Sequence, residues 1–326
     1  MAWYLIVIII IVIFVAFYAL ASLFAAHLFV KSIVTPHGKS RRTVEEIRGR
    51  DKHYEDIDFG PYDRAEKEKF MLPAKEGEDT IELSCVLIRA GQASLTDGKY
   101  KPKHETCVIL PHGLADNKDN SIKYAYDFLS FGMHVLIYDH RAFGDSTGKY
   151  CSMGIIESED LSAVITEARR RLGEHVEIGL HGESMGSMTS LILLKTDSSI
   201  KFVVSDCGPT YLRDFAKEAY RAMTHLPIGW AAPIMNAITK RRYGFTMDDV
   251  RPADGVATSD VPILFIHGTE DKLVPTRMCP ELYKLARNPH SKMVLFEGAI
   301  HARSHSQDPA KYRQVLLDFL QDIDVL

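Results

Sequence analysis

Residues 182–186 of the chain read Gly-Glu-Ser-Met-Gly, so that a serine lies between two glycines. The residues before the motif, 176–180, have a strand pattern, and those after it begin a helical one. Glycines at 182 and 186 relieve crowding at a sharp turn from strand to helix, which exposes the serine hydroxyl. The N-terminus of the following helix favours negative charge that develops there. This context predicts that Ser184 is a nucleophile.

A serine nucleophile needs a histidine base, and the histidine needs a carboxylate that fixes its tautomer. Two later apolar segments, 263–266 and 293–296, end in polar loops that can supply these groups. Asp271 follows the first segment and His301 follows the second, which gives the chain order serine, acid, histidine. Because loops at the carboxyl ends of parallel strands gather at one edge of a sheet, we expect both side chains to lie above Ser184.

Other residues compete for the roles of base and acid. The chain contains 14 histidines, and His305 is the main alternative to His301. Asp206, at the end of another predicted strand, is the alternative to Asp271, whereas the adjacent Glu270 is more typical of a solvated loop. Three other histidines, each at a strand end before a glycine, are interpreted as positioning or packing residues: His112, His181 and His267.

An acyl-transfer site also needs two backbone N–H groups directed at the developing oxyanion. The residue after the nucleophile, Met185, is the first predicted donor. The second is Leu114, because His112-Gly113-Leu114 follows the apolar segment 107–111 and takes the place of an oxyanion-loop motif. Downstream, the glycine-punctuated residues 139–148 are predicted to hold these loops in register.

The elements that must position these residues alternate along the chain. Short apolar segments predict strands at 81–89, 107–111, 134–138, 176–180, 202–205, 263–266 and 293–296. Helical patterns lie between or after them at 117–131, 157–172, 184–195, 278–287 and 309–320. This alternation predicts the α/β class, with a mostly parallel sheet that is covered by helices on both faces. Residues 208–260 interrupt the alternation without a clear strand, and a helical insertion is expected there.

These motifs together resemble those of the α/β-hydrolase superfamily. The resemblance rests on strand-His-Gly-Leu, Asp-His-Arg-Ala-Phe-Gly-Asp-Ser-x-Gly, Gly-Glu-Ser-Met-Gly, His-Gly-x-x-Asp-x-x-Val-Pro and Gly-x-x-His, over residues 65–326. More narrowly, the chain is similar to bacterial membrane-anchored hydrolases grouped with serine aminopeptidases and acyl hydrolases. The resemblance implies a Ser184, Asp271 and His301 triad, a lid between the sixth and seventh strands, and no metal or organic cofactor. Where the family often has a glycine, this chain has Ala142.

Residues 2–30 carry no formal charge, and only Ser22 and His27 fall outside the apolar set. A helix of this length exceeds the roughly 30 Å hydrocarbon core of a bilayer. Residues 1–30 are therefore predicted to be a transmembrane anchor, residues 31–65 a polar stalk, and residues 66–326 the hydrolase domain. A cleaved signal peptide is the alternative, because Ala19-Leu20-Ala21 has a small-x-small form, although no basic residue precedes the segment. A buried core helix is a further alternative.

Basic residues flank the apolar segment on its C-terminal side alone: Lys31, Lys39, Arg41, Arg42, Arg48 and Arg50. The positive-inside rule then predicts a single-pass protein of the cell membrane with its catalytic domain in the cytoplasm. Five cysteines without CxxC spacing are consistent with reduced thiols and argue against a disulfide framework or a structural zinc site.

Composition excludes several other classes of protein. With 46% hydrophobic and 25% charged residues, the 326-residue chain is too apolar for intrinsic disorder. Its 39 basic and 43 acidic residues give a net charge of −4, so that no basic excess supports nucleic-acid binding.

The sequence therefore predicts a membrane-anchored serine hydrolase that cleaves small-molecule carboxylic esters through an acyl-enzyme on Ser184. Aromatic and methionine residues of the insertion, such as Trp230, Met235 and Met247, favour an apolar acyl site, and Lys240-Arg241-Arg242 could contact anionic headgroups. A peptidase or amidase is the competing enzyme, since the same triad cleaves amides. A catalytically inactive, membrane-tethered binding module is the alternative from another class.

Overall fold

The structure, a computed structural model, describes residues 2–35, 43–49, 58–91, 100–224 and 231–326. Parts of the predicted stalk, at 36–42 and 50–57, lie outside the described residues, and so does Trp230 of the predicted insertion.

The strands of the described chain pair into one sheet. Their bounds are β1 (Glu66–Glu76), β2 (Asp79–Arg89), β3 (Thr106–Pro111), β4 (His134–Tyr138), β5 (Glu177–Glu183), β6 (Ile200–Asp206), β7 (Ile263–Gly268) and β8 (Lys292–Phe296). Within the described residues the sheet has eight strands in the order β1-β2-β4-β3-β5-β6-β7-β8. β2 is antiparallel to β1 and to β4, and the pairs from β4 to β8 are parallel. The mostly parallel sheet was predicted.

Successive side chains of a strand point to opposite faces of the sheet, so that the central strands contribute to two separate hydrophobic cores. Val108 and Leu110 of β3 belong to the core on one face of the sheet, and Cys107 and Ile109 belong to the core on the other. All four are fully buried, because a parallel sheet in this class is covered on both faces.

Helices supply that cover. Their bounds are α1 (Ala2–Val34), α2 (Val44–Gly49), α3 (Gly60–Arg64), α4 (Ile122–Ser130), α5 (Ile155–Leu172), α6 (Met185–Leu193), α7 (Leu212–Thr224), α8 (Ala231–Tyr243), α9 (Pro252–Thr258), α10 (Met278–Tyr283), α11 (Ser304–Gln307) and α12 (Pro309–Asp322). Helices α4 and α12 pack on the first face, and α5, α9 and α10 pack on the second. Helices α7, α8 and α9 lie in residues 208–260, between β6 and β7.

The sequence prediction missed strand β1. Its sequence, Glu-Lys-Glu-Lys-Phe-Met-Leu-Pro-Ala-Lys-Glu, is rich in charge, and its residues alternate between exposed and half-buried positions. β1 is an edge strand that pairs with β2 alone, so that only part of one face is covered. Charged residues and Pro73 are tolerated at such an edge, and they concealed the strand pattern.

Helix α1 continues beyond the predicted end of the anchor at residue 30 and ends at Val34. It is long and apolar enough to cross a membrane, with a mean hydropathy of 3.1 over an 18-residue window. Its large apolar side chains from Trp3 to Phe17 are exposed on the protein. The helix is therefore a candidate transmembrane span.

All five cysteines lie among the described residues, where they are buried and free, as predicted: Cys85, Cys107, Cys151, Cys207 and Cys279.

Candidate active site

Ser184 is the single residue between β5 and α6, where the chain turns sharply. Its backbone has φ 55° and ψ −111°, a left-handed conformation that a non-glycine residue rarely adopts. The two flanking glycines permit this turn by close backbone contact. A Cβ on Gly182 would lie 2.3 Å from the Gly186 carbonyl oxygen, and a Cβ on Gly186 would lie 2.0 Å from the Pro111 carbonyl oxygen. Glycine at both positions is therefore a steric requirement of the turn.

The structure brings the three predicted catalytic side chains together at the carboxyl edge of the sheet. His301 Nε2 is 3.0 Å from Ser184 Oγ, and His301 Nδ1 is 2.8 Å from Asp271 Oδ2. The Asp271 side chain is fully buried, whereas the His301 side chain is 20% exposed. The arrangement lets His301 accept the serine proton at Nε2 while its Nδ1–H donates to Asp271.

Asp271 is held by four hydrogen-bond donors. Its Oδ1 atom accepts hydrogen bonds from the backbone N–H groups of Leu273 and Val274, each at 2.9 Å. Its Oδ2 atom accepts from His301 and lies 3.1 Å from His267 Nε2. Burial alone would raise the pKa of Asp271, but the hydrogen bonds from His267, His301 and Val274 outweigh it and hold the pKa below its ordinary value. Asp271 is therefore a carboxylate at neutral pH.

The alternative residues lie elsewhere. His305 is buried, and its Nε2 is 3.4 Å from Asp127 Oδ2. Asp206 accepts a hydrogen bond from the Tyr312 hydroxyl at 3.0 Å, and burial together with the nearby Glu183 raises its pKa to about 6. Glu270 is exposed, as a solvated loop residue would be.

The loop after β3 runs beside the serine. A Cβ on Gly113 would lie 3.6 Å from the Ser184 Cβ, so that Gly113 lies beside Ser184 and the predicted donor Leu114 is the next residue of the loop. His112 fixes this loop, because its Nε2 accepts from the His140 N–H at 3.0 Å and its Nδ1 then donates to the Gly113 carbonyl at 2.7 Å. Burial lowers the pKa of His112, which keeps the ring neutral for this pair of bonds.

Met185, the other predicted oxyanion donor, is the first residue of α6. The first N–H groups of a helix have no intrahelical acceptor, so that the Met185 N–H is a candidate donor to a ligand beside Ser184.

Residues 139–148 form a turn with an alanine at its tightest point. Ala142 has φ 66°, where left-handed backbone costs a non-glycine residue roughly 1–2 kcal/mol. Hydrogen bonds from the Ala142 N–H to the Thr147 carbonyl at 2.9 Å, and from the Phe143 N–H to the His140 carbonyl at 3.0 Å, hold the turn. The chain thus keeps the tight turn although Ala142 replaces the usual glycine.

Potential metal ligands cluster at the same site. Among the described residues, donor atoms of Cys207, Asp271 and His301 lie within 4.8 Å of one another. Burial, reinforced by the neighbouring Asp206, raises the pKa of the Cys207 thiol well above its ordinary value, and a protonated thiol is a poor metal ligand. Asp271 and His301 already hydrogen-bond each other. This donor set fits a metal ion poorly.

Comparison with known proteins identifies the family. A family model described as the alpha/beta hydrolase fold matches residues 106–227. The chain is 30% identical over 288 residues to YqkD of Bacillus subtilis (strain 168), an uncharacterized protein, and the match covers 87% of this chain and 89% of that protein. The chain belongs to the α/β-hydrolase family.

Solved structures with the same fold as this α/β hydrolase include esterases and peptidases. An esterase from Pyrococcus furiosus matches with a TM-score of 0.64 and 22% identity, over 89% of this chain and 98% of that one. The acylaminoacyl peptidase of Pyrococcus horikoshii matches with a TM-score of 0.56 and 15% identity, over 79% of this chain and 42% of that one. Fold and family together support a hydrolase.

Sequence reasoning missed a buried ion pair next to Ser184 of the α/β hydrolase. Glu183, the residue before Ser184, pairs with Lys123 of α4, and their side chains are 7% and 6% exposed. Glu183 also accepts hydrogen bonds from the Tyr124 hydroxyl at 2.5 Å and from Asn120 Nδ2 at 3.4 Å. Burial alone would raise the pKa of Glu183, but Lys123 and Tyr124 lower it below its ordinary value. In the sequence, the only indication of this ion pair was a charged residue between Gly182 and Ser184, at a position expected to be buried.

Replacement of Lys123 by methionine should destabilise the fold strongly, because it leaves the Glu183 carboxylate buried without its cation. Breaking a buried pair on one side costs about 3–5 kcal/mol, which corresponds to a fall of roughly 6–15 °C in the melting temperature. Thermal unfolding in detergent, followed by circular dichroism, measures the change. The double variant Lys123→Met with Glu183→Gln should recover most of the loss. A Lys123→Met protein that melts at the wild-type temperature would contradict the importance of this pair.

Proposed function

We propose that the chain is a serine hydrolase that cleaves carboxylic esters through an acyl-enzyme on Ser184. The observation that carries this proposal is the hydrogen-bonded series from Asp271 through His301 to Ser184, at a left-handed turn beside a helix N-terminus. A serine, a histidine and a buried carboxylate in this arrangement suit nucleophilic acyl transfer.

In the proposed reaction, Ser184 Oγ attacks the ester carbonyl carbon while His301 Nε2 takes the hydroxyl proton. The negative carbonyl oxygen accepts hydrogen bonds from the Met185 and Leu114 N–H groups. When the tetrahedral intermediate collapses, the ester C–O bond breaks and His301 returns the proton to the departing alcohol. Water then attacks the acyl-enzyme with His301 again as base, and the carboxylic acid leaves.

An apolar acyl site is consistent with the side chains around the serine. Met185 belongs to an apolar cluster that also contains Phe143, Met188 and Phe215, and Leu114 packs against this cluster. Apolar lining with a few polar groups at the reacting atoms is typical of small-molecule sites, so that an acyl group is a fitting substrate moiety.

The protein is proposed to be held in the cell membrane by residues 1–30, followed by a stalk at 31–65 and the hydrolase domain at 66–326. The length and hydropathy of α1 support the anchor. Basic residues that follow the apolar segment, beginning with Lys31, support a cytoplasmic location for the domain.

Hydrolysis of matched esters and amides tests the proposal. The full chain in detergent should release p-nitrophenol from p-nitrophenyl esters much faster than p-nitroaniline from anilides of the same acids. Reaction with a fluorophosphonate should abolish the activity, and the labelled peptide should contain Ser184. Comparable rates on the anilides would replace the esterase with an amidase. Folded protein that neither labels nor turns over would indicate an inactive binding module.

A further inference from the structure

Helix α1 consists of two stretches with different surroundings. The large apolar side chains of residues 3–17 are exposed to the exterior of the protein. From residue 22 onward, one face of the same helix is buried in the protein: Ser22, Ala26, Phe29, Val30, Ile33 and Val34. Steps of three and four residues place these side chains on one side of a helix. We call residues 22–34 the docked segment of α1.

The docked segment packs on the helices between β6 and β7. Phe29 contacts Tyr220 of α7 edge to face, with 5.9 Å between the ring centroids. Ala26 and Val30 belong to the same apolar cluster as Ala216 of α7 and Met235 of α8. The docked segment is therefore packed as part of the hydrolase domain.

Polar contacts fix the end of the docked segment. The Val34 carbonyl accepts a hydrogen bond from the Cys151 N–H at 2.8 Å, and the Ile33 carbonyl accepts one from the Cys151 thiol at 3.2 Å. The Thr35 hydroxyl lies 3.3 Å from the Tyr243 hydroxyl at the end of α8. Carbonyl groups in the last turn of a helix lack intrahelical donors, so that these contacts complete the helix terminus.

This packing connects the docked segment with the nucleophile. The apolar cluster of Phe29 and Val30 also contains Met185 and Met188 of α6, and Leu114 packs against it. Met185 directly follows Ser184, and Leu114 directly follows Gly113, which lies beside Ser184. Apolar contacts are therefore continuous from the docked segment to the residues next to Ser184.

The position of the helix in a bilayer agrees with this arrangement. Residues 3–21 span about 28 Å, close to the roughly 30 Å hydrocarbon core, so that the docked segment begins at the interface. Its outer face continues the apolar surface with Leu23, Phe24 and Leu28, which are 40%, 64% and 48% exposed. The exposed cations Lys240, Arg241 and Arg242 lie at the end of α8, beside the end of α1. Apolar side chains with cations next to them are typical of a surface at headgroup level.

We propose that the buried face of the docked segment forms a wall of the acyl-binding site and makes the enzyme selective for esters of long-chain acids. This inference rests on the proposed esterase function. An acetyl group contacts only side chains next to Ser184, whereas a long acyl chain extends into the cluster that Phe29 completes. Phe29 is thus a specificity-determining residue within the membrane helix.

Two phenylalanine-to-alanine variants on opposite faces of α1 test the proposal. Phe29 is 3% exposed, and Phe24, five residues earlier, is 64% exposed. In the full chain in phosphatidylcholine nanodiscs, Phe29→Ala should lower kcat/KM for p-nitrophenyl palmitate roughly tenfold and for p-nitrophenyl acetate by less than about twofold. Phe24→Ala should leave both values unchanged.

Equal losses on both esters in Phe29→Ala, or no loss on either, would overturn the proposal. If Phe29→Ala does not fold, Val30→Ala replaces it, because this change removes less volume from the same face of the helix. Val30→Ala should then show the same selective loss of kcat/KM for the palmitate ester. Wild-type hydrolysis of acetate but not palmitate would overturn the long-chain inference and leave the esterase intact. Wild-type hydrolysis of neither ester would instead overturn the proposed function.

Discussion

Replacement of Ser184 by alanine is expected to lower kcat for ester hydrolysis by roughly 10⁴- to 10⁶-fold. The variant loses the atom that attacks the carbonyl carbon, and no other described hydroxyl is hydrogen-bonded to His301. The oxyanion donors and the acyl site remain, so that a small rate above the uncatalysed one should persist. Initial rates on a p-nitrophenyl ester, with fluorophosphonate labelling of the same samples, measure the effect.

Ser190→Ala is a suitable control for this variant. Ser190 lies on α6, the helix that begins directly after Ser184, and its hydroxyl donates to the Gly186 carbonyl at 2.9 Å. Its loss should leave kcat within about twofold, because a side-chain bond to the preceding helical turn contributes little to the helix. Wild-type turnover by folded Ser184→Ala would refute the assignment of the nucleophile.

Local sequence was sufficient to place the site residues in the fold. Ser184, Asp271 and His301 each follow a strand whose apolar pattern is clear, and the carboxyl edge of a parallel sheet gathers such loops. The sequence favoured His301 over His305 because His301 ends the Gly-x-x-His motif that follows the strand at 293–296. The structure gives the physical difference: His301 is partly exposed above the serine, whereas His305 is buried beside Asp127.

Features that depend on long-range contacts were not visible in the sequence. β1 owes its strand conformation to pairing with β2, and nothing in its charge-rich sequence requires a strand. The docked segment is largely apolar, as a membrane span is, and its sequence does not show that one face packs on Tyr220. Lys123 and Glu183 are 60 positions apart in sequence, so that their pairing depends on how α4 packs against the turn at Ser184. Apolar patterns with periods of 2 and 3.6 residues predict which face of a strand or helix is buried, but they do not predict which element packs against that face.

Replacement of Asp271 by asparagine should lower kcat by about 10⁴-fold while the fold is retained. The reason lies in the donors around the carboxylate. Leu273 and Val274 both direct N–H groups at Oδ1, so that an asparagine must place its carbonyl oxygen there and its NH₂ group at the Oδ2 position. That NH₂ group then faces His301 Nδ1, which is 2.8 Å from Oδ2 in the native protein.

An NH₂ group at this position forces His301 to accept at Nδ1 and to carry its proton on Nε2. In that tautomer Nε2 cannot take the proton of Ser184, and no buried negative charge stabilises an imidazolium. The matched control is Glu270→Gln, which removes the same charge from an exposed side chain one residue earlier. The kcat of this variant should stay within about twofold of the wild-type value. Steady-state rates of the two variants and the wild-type protein on one p-nitrophenyl ester measure the difference. Equal rates for Asp271→Asn and Glu270→Gln would mean that Asp271 does not set the tautomer of His301.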